Sequence, residues 1–302
     1  MSSILDRLAA AVLGGSPDRP EPDVREAGTQ IPPEYPRSFA EFVGQPEAIL
    51  LLRTELAGAR AERRMPAHFL LYGPPGLGKT ALAYVVAAEA GMSLYESSGA
   101  EFSSQAALIE AAQRVGVLWE RARRPILWLI DEVDGITRVA SYAIHSLMTH
   151  GWISWKGVMY GGVPITVAGP SNRMAGVPPA LRSRFAEHVY IGFYDPPDLA
   201  RIAEQSASRM GLPLGPDAAP WIGENAAGEP RKVNRRILRN AANIAGEFGV
   251  VGIEEAKAAS RLSGLRHRGL SGPHSSTYLR FLAGYGAGRP ASRRSGPSSA
   301  RT

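Results

Sequence analysis

The run Gly73-Pro74-Pro75-Gly76-Leu77-Gly78-Lys79-Thr80 constrains this chain more than any other stretch of it. It follows a short apolar segment, "HFLLY", and opens into "ALAYVVAAEAG", whose composition is helical. A strand must therefore feed a glycine-bent loop that turns directly into a helix. Glycines at these spacings let successive backbone N–H groups turn inward around oxyanions, and the helix that follows presents its positive dipole end to the same place. Lys79 extends that cradle toward the outer phosphates, and the Thr80 hydroxyl is suited to Mg2+. This is the chemistry of a nucleoside triphosphate site.

A second half of the site is legible in "ILWLIDE". An apolar strand that delivers Asp131 and Glu132 at its C-terminal end can set one carboxylate on the metal's water shell and the next against an attacking water. Asp131 is read in the first role and Glu132 in the second, as general base or water-orienting group.

Around these motifs, "MSLYESSG" and "PITVAGPS" read as further strands and "FSSQAALIEAAQRVGVLWERARR" as a helix. Alternation of strands and helices predicts an α/β fold, a parallel sheet covered on both faces. Helical periodicity begins at Phe39 and runs through Phe42, Val43, Ile49, Leu50, Leu52 and Leu56. "GWISWKGVMYGG" reads as a hairpin turning at Lys156-Gly157, with Trp152, Trp155 and Tyr160 on its arms. After "FYDPPD" the pattern is purely helical, which sets a domain boundary near Pro196. The expected organisation is a flexible lead-in over 1–35, an α/β core over 36–195, a small helical domain over 196–264, and a remainder over 265–302 ending in a disordered basic tail. Within the lead-in, Ile4, Leu5, Leu8 and Val12 leave open either a short docking helix or a frayed terminus.

Composition removes several function classes. The chain has no cysteine, so it holds no disulfide and no thiolate metal site, in keeping with a reducing, cytoplasmic setting. His68, His145, His150, His188, His267 and His274 show no paired ligand spacing and read as core or surface histidines. No apolar run reaches membrane-spanning length and no secretory leader is expected. The net charge of +6 is uneven. Residues 231–302 hold 14 Lys and Arg against 3 Asp and Glu, so a basic quarter sits on a mildly acidic body. Such a quarter suits a polyanion or is simply a solvated tail.

From about Pro36 to Tyr285 the chain resembles the AAA+ ATPases and, within them, the RuvB-type branch-migration motors. "PRSFAEFVGQPEA" resembles the family's opening segment, "HFLLYGPPGLGKTALA" its phosphate loop, "GPSNR" its first sensor, "LRSRF" its arginine-finger segment and "GEPRKVNRRILR" the start of its second-sensor helix. The resemblance implies ATP as the nucleotide, with Phe42 and Val43 against the adenine and Ala81 just beyond the loop. It implies that Asn172 senses the γ-phosphate or the attacking water and that Arg231 touches the phosphates from a helical lid. It further implies that Arg184, rather than Arg182, is a finger reaching the γ-phosphate of a neighbouring subunit, which requires a homo-oligomeric ring, read as a hexamer. On the residues alone, both arginines remain open to capping a helix or pairing with Glu187.

Two departures are visible. The family's long hairpin docks a partner protein, whereas "GWISWKGVMYGGVP" is shorter and carries a different apolar set. The family's C-terminal winged-helix domain is matched only at its opening, in "GLSGPHSSTYLRFLAGYGAGRP". The leading functional reading is thus an ATP-driven motor on duplex or four-way-junction DNA, with Arg289, Arg293, Arg294 and Arg301 gripping phosphates. The alternative is a regulatory or loader ATPase that binds a protein partner through the hairpin aromatics, which equally fit simple packing on the body.

Overall fold

Five parallel strands carry the fold. In the computed structural model, which describes residues 35–246 and 249–265, these are β1 (Phe69–Tyr72), β2 (Ser93–Ser98), β3 (Ile126–Asp131), β6 (Ile165–Ser171) and β7 (Glu187–Tyr190). Their order is β2-β3-β6-β1-β7, so β1 lies between β6 and β7, with Phe69 opposite both Ala168 and Glu187. Side chains alternate across each strand, and here both faces are covered. Phe69 and Leu71 enter one apolar layer and Leu70 the other. On β3, Leu127 and Leu129 face the first layer while Ile126, Trp128 and Ile130 face the second. Trp128 is fully buried, and its indole N–H donates to Ser97 Oγ at 2.8 Å, so no polar atom is stranded.

The first layer holds α1 (Pro46–Glu62) and α2 (Lys79–Ala90). The second holds α3 (Gln105–Ala122), α4 (Arg138–His150) and the short α5 (Pro179–Arg182). The helix ends follow local chemistry. Ser104 caps α3 by accepting from the Ala107 N–H, Thr137 caps α4 by accepting from the Ala140 N–H, and Gly151 ends α4 in the left-handed region. His68 ties the layers together: its Nδ1 accepts from the Val167 N–H at 2.9 Å and its Nε2 faces the Met148 carbonyl at 3.1 Å. That pairing fixes a neutral ring, and burial lowers its pKa accordingly.

Helical residues follow β7 as α6 (Pro196–Arg209), α7 (Ala218–Asn225), a π-helical segment Lys232–Leu238 running into α8 (Arg239–Ala245), and α9 (Ile253–Leu262). Burial is continuous across the turn at Pro196: Leu199, Ile222, Val233 and Ile237 join the same apolar cluster as Leu71 and Leu82. The expected remainder beyond Leu265 and the lead-in before Tyr35 lie outside the described residues.

Three details differ from the sequence reading. Helix α1 begins at Pro46 rather than near Phe39. Phe39, Phe42 and Val43 are buried, but Gly44 and Gln45 take φ values of 71° and 53°, and the residue before a proline is driven out of the helical region. The edge strand β7 escaped notice because only Val189 of its four residues is buried, leaving no alternation to read. The third is the wide π-helical turn, which no sequence period signals.

The hairpin forms as expected. β4 (Trp152–Trp155) pairs with β5 (Val158–Gly161) across Lys156 and Gly157, whose φ values of 49° and 79° are those of a two-residue type I′ turn. Ile153 lies opposite Tyr160, and Trp155 and Tyr160 pack on the second apolar layer. Trp152, Val158 and Met159 are exposed. Among the described residues no helix is long and apolar enough to cross a membrane.

Candidate nucleotide site

The loop after β1 delivers the phosphate cradle. Gly78 carries φ of 93° at the start of α2, a conformation that L side chains resist, and a Cβ there would touch the Phe42 ring and the Tyr194 hydroxyl, each at 3.6 Å. Lys79 is only 7% exposed. Its Nζ donates to the Gly73 and Pro74 carbonyls, each at 2.8 Å, and to Asn172 Oδ1 at 3.0 Å. The loop after β1 and Asn172, 93 positions from Lys79, thus share one ammonium. Burial pushes that ammonium down to about 8; Asp131 and Asp134 oppose the shift and Arg231 adds to it. Tyr194 closes the loop from beneath by donating its hydroxyl to the Leu77 carbonyl at 3.1 Å, and burial holds the phenol protonated.

β3 ends at the acids. Asp131 Oδ1 accepts from the Glu132 N–H at 3.0 Å, and the Gly135 N–H donates to the Glu132 carbonyl at 2.7 Å. These bonds hold Glu132 at φ 51°, ψ 50°, the left-handed region, which costs energy for a residue with a side chain and is common at functional positions. Gly99 makes room for this backbone, since a Cβ there would collide with the Glu132 carbonyl. Asp134 was not singled out from the sequence. It accepts from Ser171 Oγ at 2.8 Å, and the same Oγ accepts from the Arg173 N–H at 3.0 Å, clamping the end of β6 to the acidic turn. The signal was present in "DEVDG", but a third acid in a turn is too common to stand out.

The lid supplies the other wall. The Arg231 N–H donates to the Gly76 carbonyl at 3.2 Å, and Arg209 on α6 pairs with Glu41 at 3.3 Å. One cleft is lined by Phe42, Val43, Gly76, Gly78, Lys79, Thr80, Ala81, Asp131, Glu132, Asn172 and Arg231. Arg235 and Arg239 line it too, so part of the basic C-terminal quarter faces this cleft. Two of the residues that line it, Ser206 and Asn234, carry a buried side-chain oxygen with no hydrogen-bond partner. Unsatisfied groups of this kind are rare in a folded chain and fit a polar ligand. For a metal, the donor set is one hydroxyl and one carboxylate, hard oxygens, and among the described residues no cluster of three His, Asp or Glu forms a cage. That set fits Mg2+, which keeps its waters and leans on substrate phosphates.

Arg184 is outside the cleft. It is exposed, in the turn between α5 and β7, and Arg182 is half-buried beside it. The pairing with Glu187 left open by the sequence is not formed; Arg184 Nε donates instead to His145 Nε2 at 2.7 Å.

A glycine-bent phosphate loop, an acidic strand end and a helical lid closing one cleft define a P-loop nucleoside triphosphatase. Residues 69–193 match the family described as "ATPase family associated with various cellular activities (AAA)". The Holliday junction branch migration complex subunit RuvB of Mycobacterium bovis is 35% identical over 245 residues, covering 78% of this chain and 69% of that protein. Its counterpart in Mycobacterium ulcerans is 36% identical over 234 residues, covering 74% of this chain and 66% of that one. A solved structure of the Thermotoga maritima RuvB Holliday junction branch migration motor superposes with a TM-score of 0.67 at 23% identity, covering 84% and 81% of the two chains. The chain belongs to the RuvB family and is an ATPase of the AAA type.

Proposed function

We propose that this protein is an ATP-driven motor on branched or duplex DNA, working as a homo-oligomeric ring, with a hexamer as the expected size. The observation that carries the reading is the convergence of Lys79, Asp131, Glu132, Asn172 and Arg231 on one cleft in a chain of this family. In this reading Phe42 and Val43 flank the adenine, and the loop from Gly73 through Pro74, Pro75, Gly76, Leu77 and Gly78 to Lys79, Thr80 and Ala81 holds the phosphates. Thr80 and, through water, Asp131 hold Mg2+, which neutralises charge on the outer phosphates. Glu132 orients and deprotonates the attacking water, Asn172 fixes it relative to the γ-phosphate, and Arg231 contacts the phosphates from the lid. Arg184, exposed and outside its own cleft, serves the neighbouring subunit's site. The lid transmits the nucleotide's state as movement through the Arg231–Gly76 and Arg209–Glu41 contacts.

DNA is the proposed polyanion because the relatives are named for the Holliday junction and because residues 231–302 remain strongly basic. Arg289, Arg293, Arg294 and Arg301, outside the described residues, are its proposed grips. The test is ATP turnover against protein concentration, with and without four-way-junction DNA. Turnover rising cooperatively with concentration and stimulated further by the junction is the expected result. Turnover indifferent to every DNA tried sinks the motor reading in favour of a protein-directed ATPase, for which the exposed Trp152, Val158 and Met159 on the hairpin are the first surface to test.

Lys79 gives a second check. Burial holds its ammonium at about 8, and a triphosphate beside it favours the charged form. Above pH 8, therefore, binding must take up a proton. ATP affinity is expected to be flat below about pH 7 and to fall by up to about tenfold per pH unit above about pH 8. Nucleotide titrations across that range read it directly, and Lys79→Arg, which does not titrate there, should flatten the slope. An affinity independent of pH in the wild type would remove Lys79 from the phosphates.

A further inference from the structure

We infer that His145 is a positioning residue for Arg184, and that its neutral ring holds the guanidinium aimed at the adjoining subunit. The geometry is direct. Arg184 Nε donates to His145 Nε2 at 2.7 Å, well within normal hydrogen-bond length. An arginine cannot accept, so the ring nitrogen must, and the imidazole is neutral with its proton on Nδ1. Holding Nε leaves the two terminal amino groups as a fork pointing away from the ring, the planar part that meets a phosphoryl group in two places. A free arginine on an exposed turn spreads over many rotamers, and fixing it beforehand removes that cost from the reaction.

His145 is itself well fixed. It sits on α4 between the buried Ile144 and Leu147, and its carbonyl accepts from Thr149 Oγ1 at 2.7 Å. The turn carrying Arg184 is fixed too, because Leu181 and Phe185 on either side of it are buried in the same apolar layer as Ile144 and Leu147. Each partner thus stands on a packed element, and the bond joins α4 to the segment after α5. Neither the phosphate loop nor the acidic turn contributes to it.

The same bond makes the arginine sensitive to acid. Partial burial, Arg184 from the facing turn and His150 from the same helix all act on the ring, and all favour its neutral form. At neutral pH the acceptor is therefore present. Once pH falls below the lowered pKa of the ring, Nε2 carries a proton, the bond is lost, and two like charges face each other. Acid releases the finger without touching the cleft.

The inference rests on Arg184 serving the neighbouring site, and the experiment separates the two claims. The steady-state ATPase of the full chain is measured from about pH 5.5 to pH 8.5 for the wild type, H145Q, H145A and R184A, spanning the ordinary histidine range. Bound nucleotide and circular dichroism serve as controls for folding. The wild type is expected to lose kcat on the acid side in a one-proton step. H145Q, whose amide oxygen accepts the same bond and does not titrate, is expected to keep kcat at neutral pH and to lose that step, whereas a step owed to another group such as His68 would persist in this variant. H145A is expected to lower kcat by about tenfold with KM unchanged, less than the ~10² that a 1 Å misplacement can cost. An acid step that persists in H145Q, or an H145A enzyme with full kcat while R184A has collapsed, overturns the positioning role. Full turnover in R184A overturns the finger assignment, and the inference with it.

Discussion

Arg184→Ala is expected to lower ATP turnover by about 10³ to 10⁵, or about 4–7 kcal/mol of transition-state stabilisation, while leaving ATP binding by each subunit intact. The argument begins from position. Arg184 is exposed, shares no wall of the cleft containing Lys79 and Glu132, and is held by His145 on a surface turn. A residue so placed has no action on its own subunit's phosphates, so a catalytic effect must cross an interface. The proposed head-to-tail ring would supply that interface, each subunit offering its arginine to the next. The loss should therefore be complementable. K79A subunits lack a working cleft but keep the arginine, and R184A subunits have the reverse. Equimolar mixing is expected to restore turnover at about one interface in four, the share in which an intact cleft faces an intact arginine. Recovery on mixing two nearly inactive proteins has no explanation within one subunit. R184A with wild-type turnover, or a mixture that stays inactive although rings form, defeats the assignment.

The parts of the molecule legible beforehand share a physical trait, namely that their signal is local. The phosphate loop announces itself because glycine, lysine and threonine are needed at fixed offsets around one anion. β3 is legible because a strand buried on both faces must be continuously apolar, and "ILWLI" is. The hairpin is legible because Lys156-Gly157 suits the positive φ values its turn adopts. What escaped depends on partners far along the chain. Phe42 and Val43 look helical by spacing, yet they are buried in a turn whose course is set by Gly44, Gln45 and Pro46. β7 is a strand only because β1 offers it a backbone edge, and three of its four side chains are not buried. Asp134 matters through Ser171 and Arg173, 37 and 39 positions further on, and His145 through Arg184. Ser206 and Asn234 meet in one cleft only after α6 and the π-helical segment pack together. Their polarity is visible in sequence, but their want of a partner is a property of the fold.

Glu132→Gln is expected to separate binding from chemistry more cleanly than any other single change at this site. The backbone around Glu132 does not depend on the carboxylate: its N–H is held by Asp131 Oδ1, its carbonyl by the Gly135 N–H, and the space it turns through is left by Gly99. An amide of the same shape should therefore keep the strained left-handed turn, and with it the positions of Asp131, Asp134 and Lys79. What the amide loses is the capacity to take a proton from water, a contribution of about 10² to 10⁴ in rate. ATP affinity should be unchanged, because Lys79, Arg231 and the loop N–H groups are untouched. The variant should accumulate as an ATP-bound assembly, visible as nucleotide that copurifies or exchanges without being cleaved. The neighbouring acids make the result discriminating. If Asp131 chiefly served the water rather than the metal, D131N would remove turnover with little effect on Mg2+ dependence, and E132Q would leave turnover within about threefold of the wild type. If the assignment holds, E132Q loses turnover at every Mg2+ concentration, whereas D131N shifts the Mg2+ requirement upward. The two acids stand side by side at the end of β3, and the different roles proposed for them match different surroundings: Asp131 Oδ1 accepts from the Glu132 N–H, while Glu132 begins the turn that carries Asp134 to the end of β6.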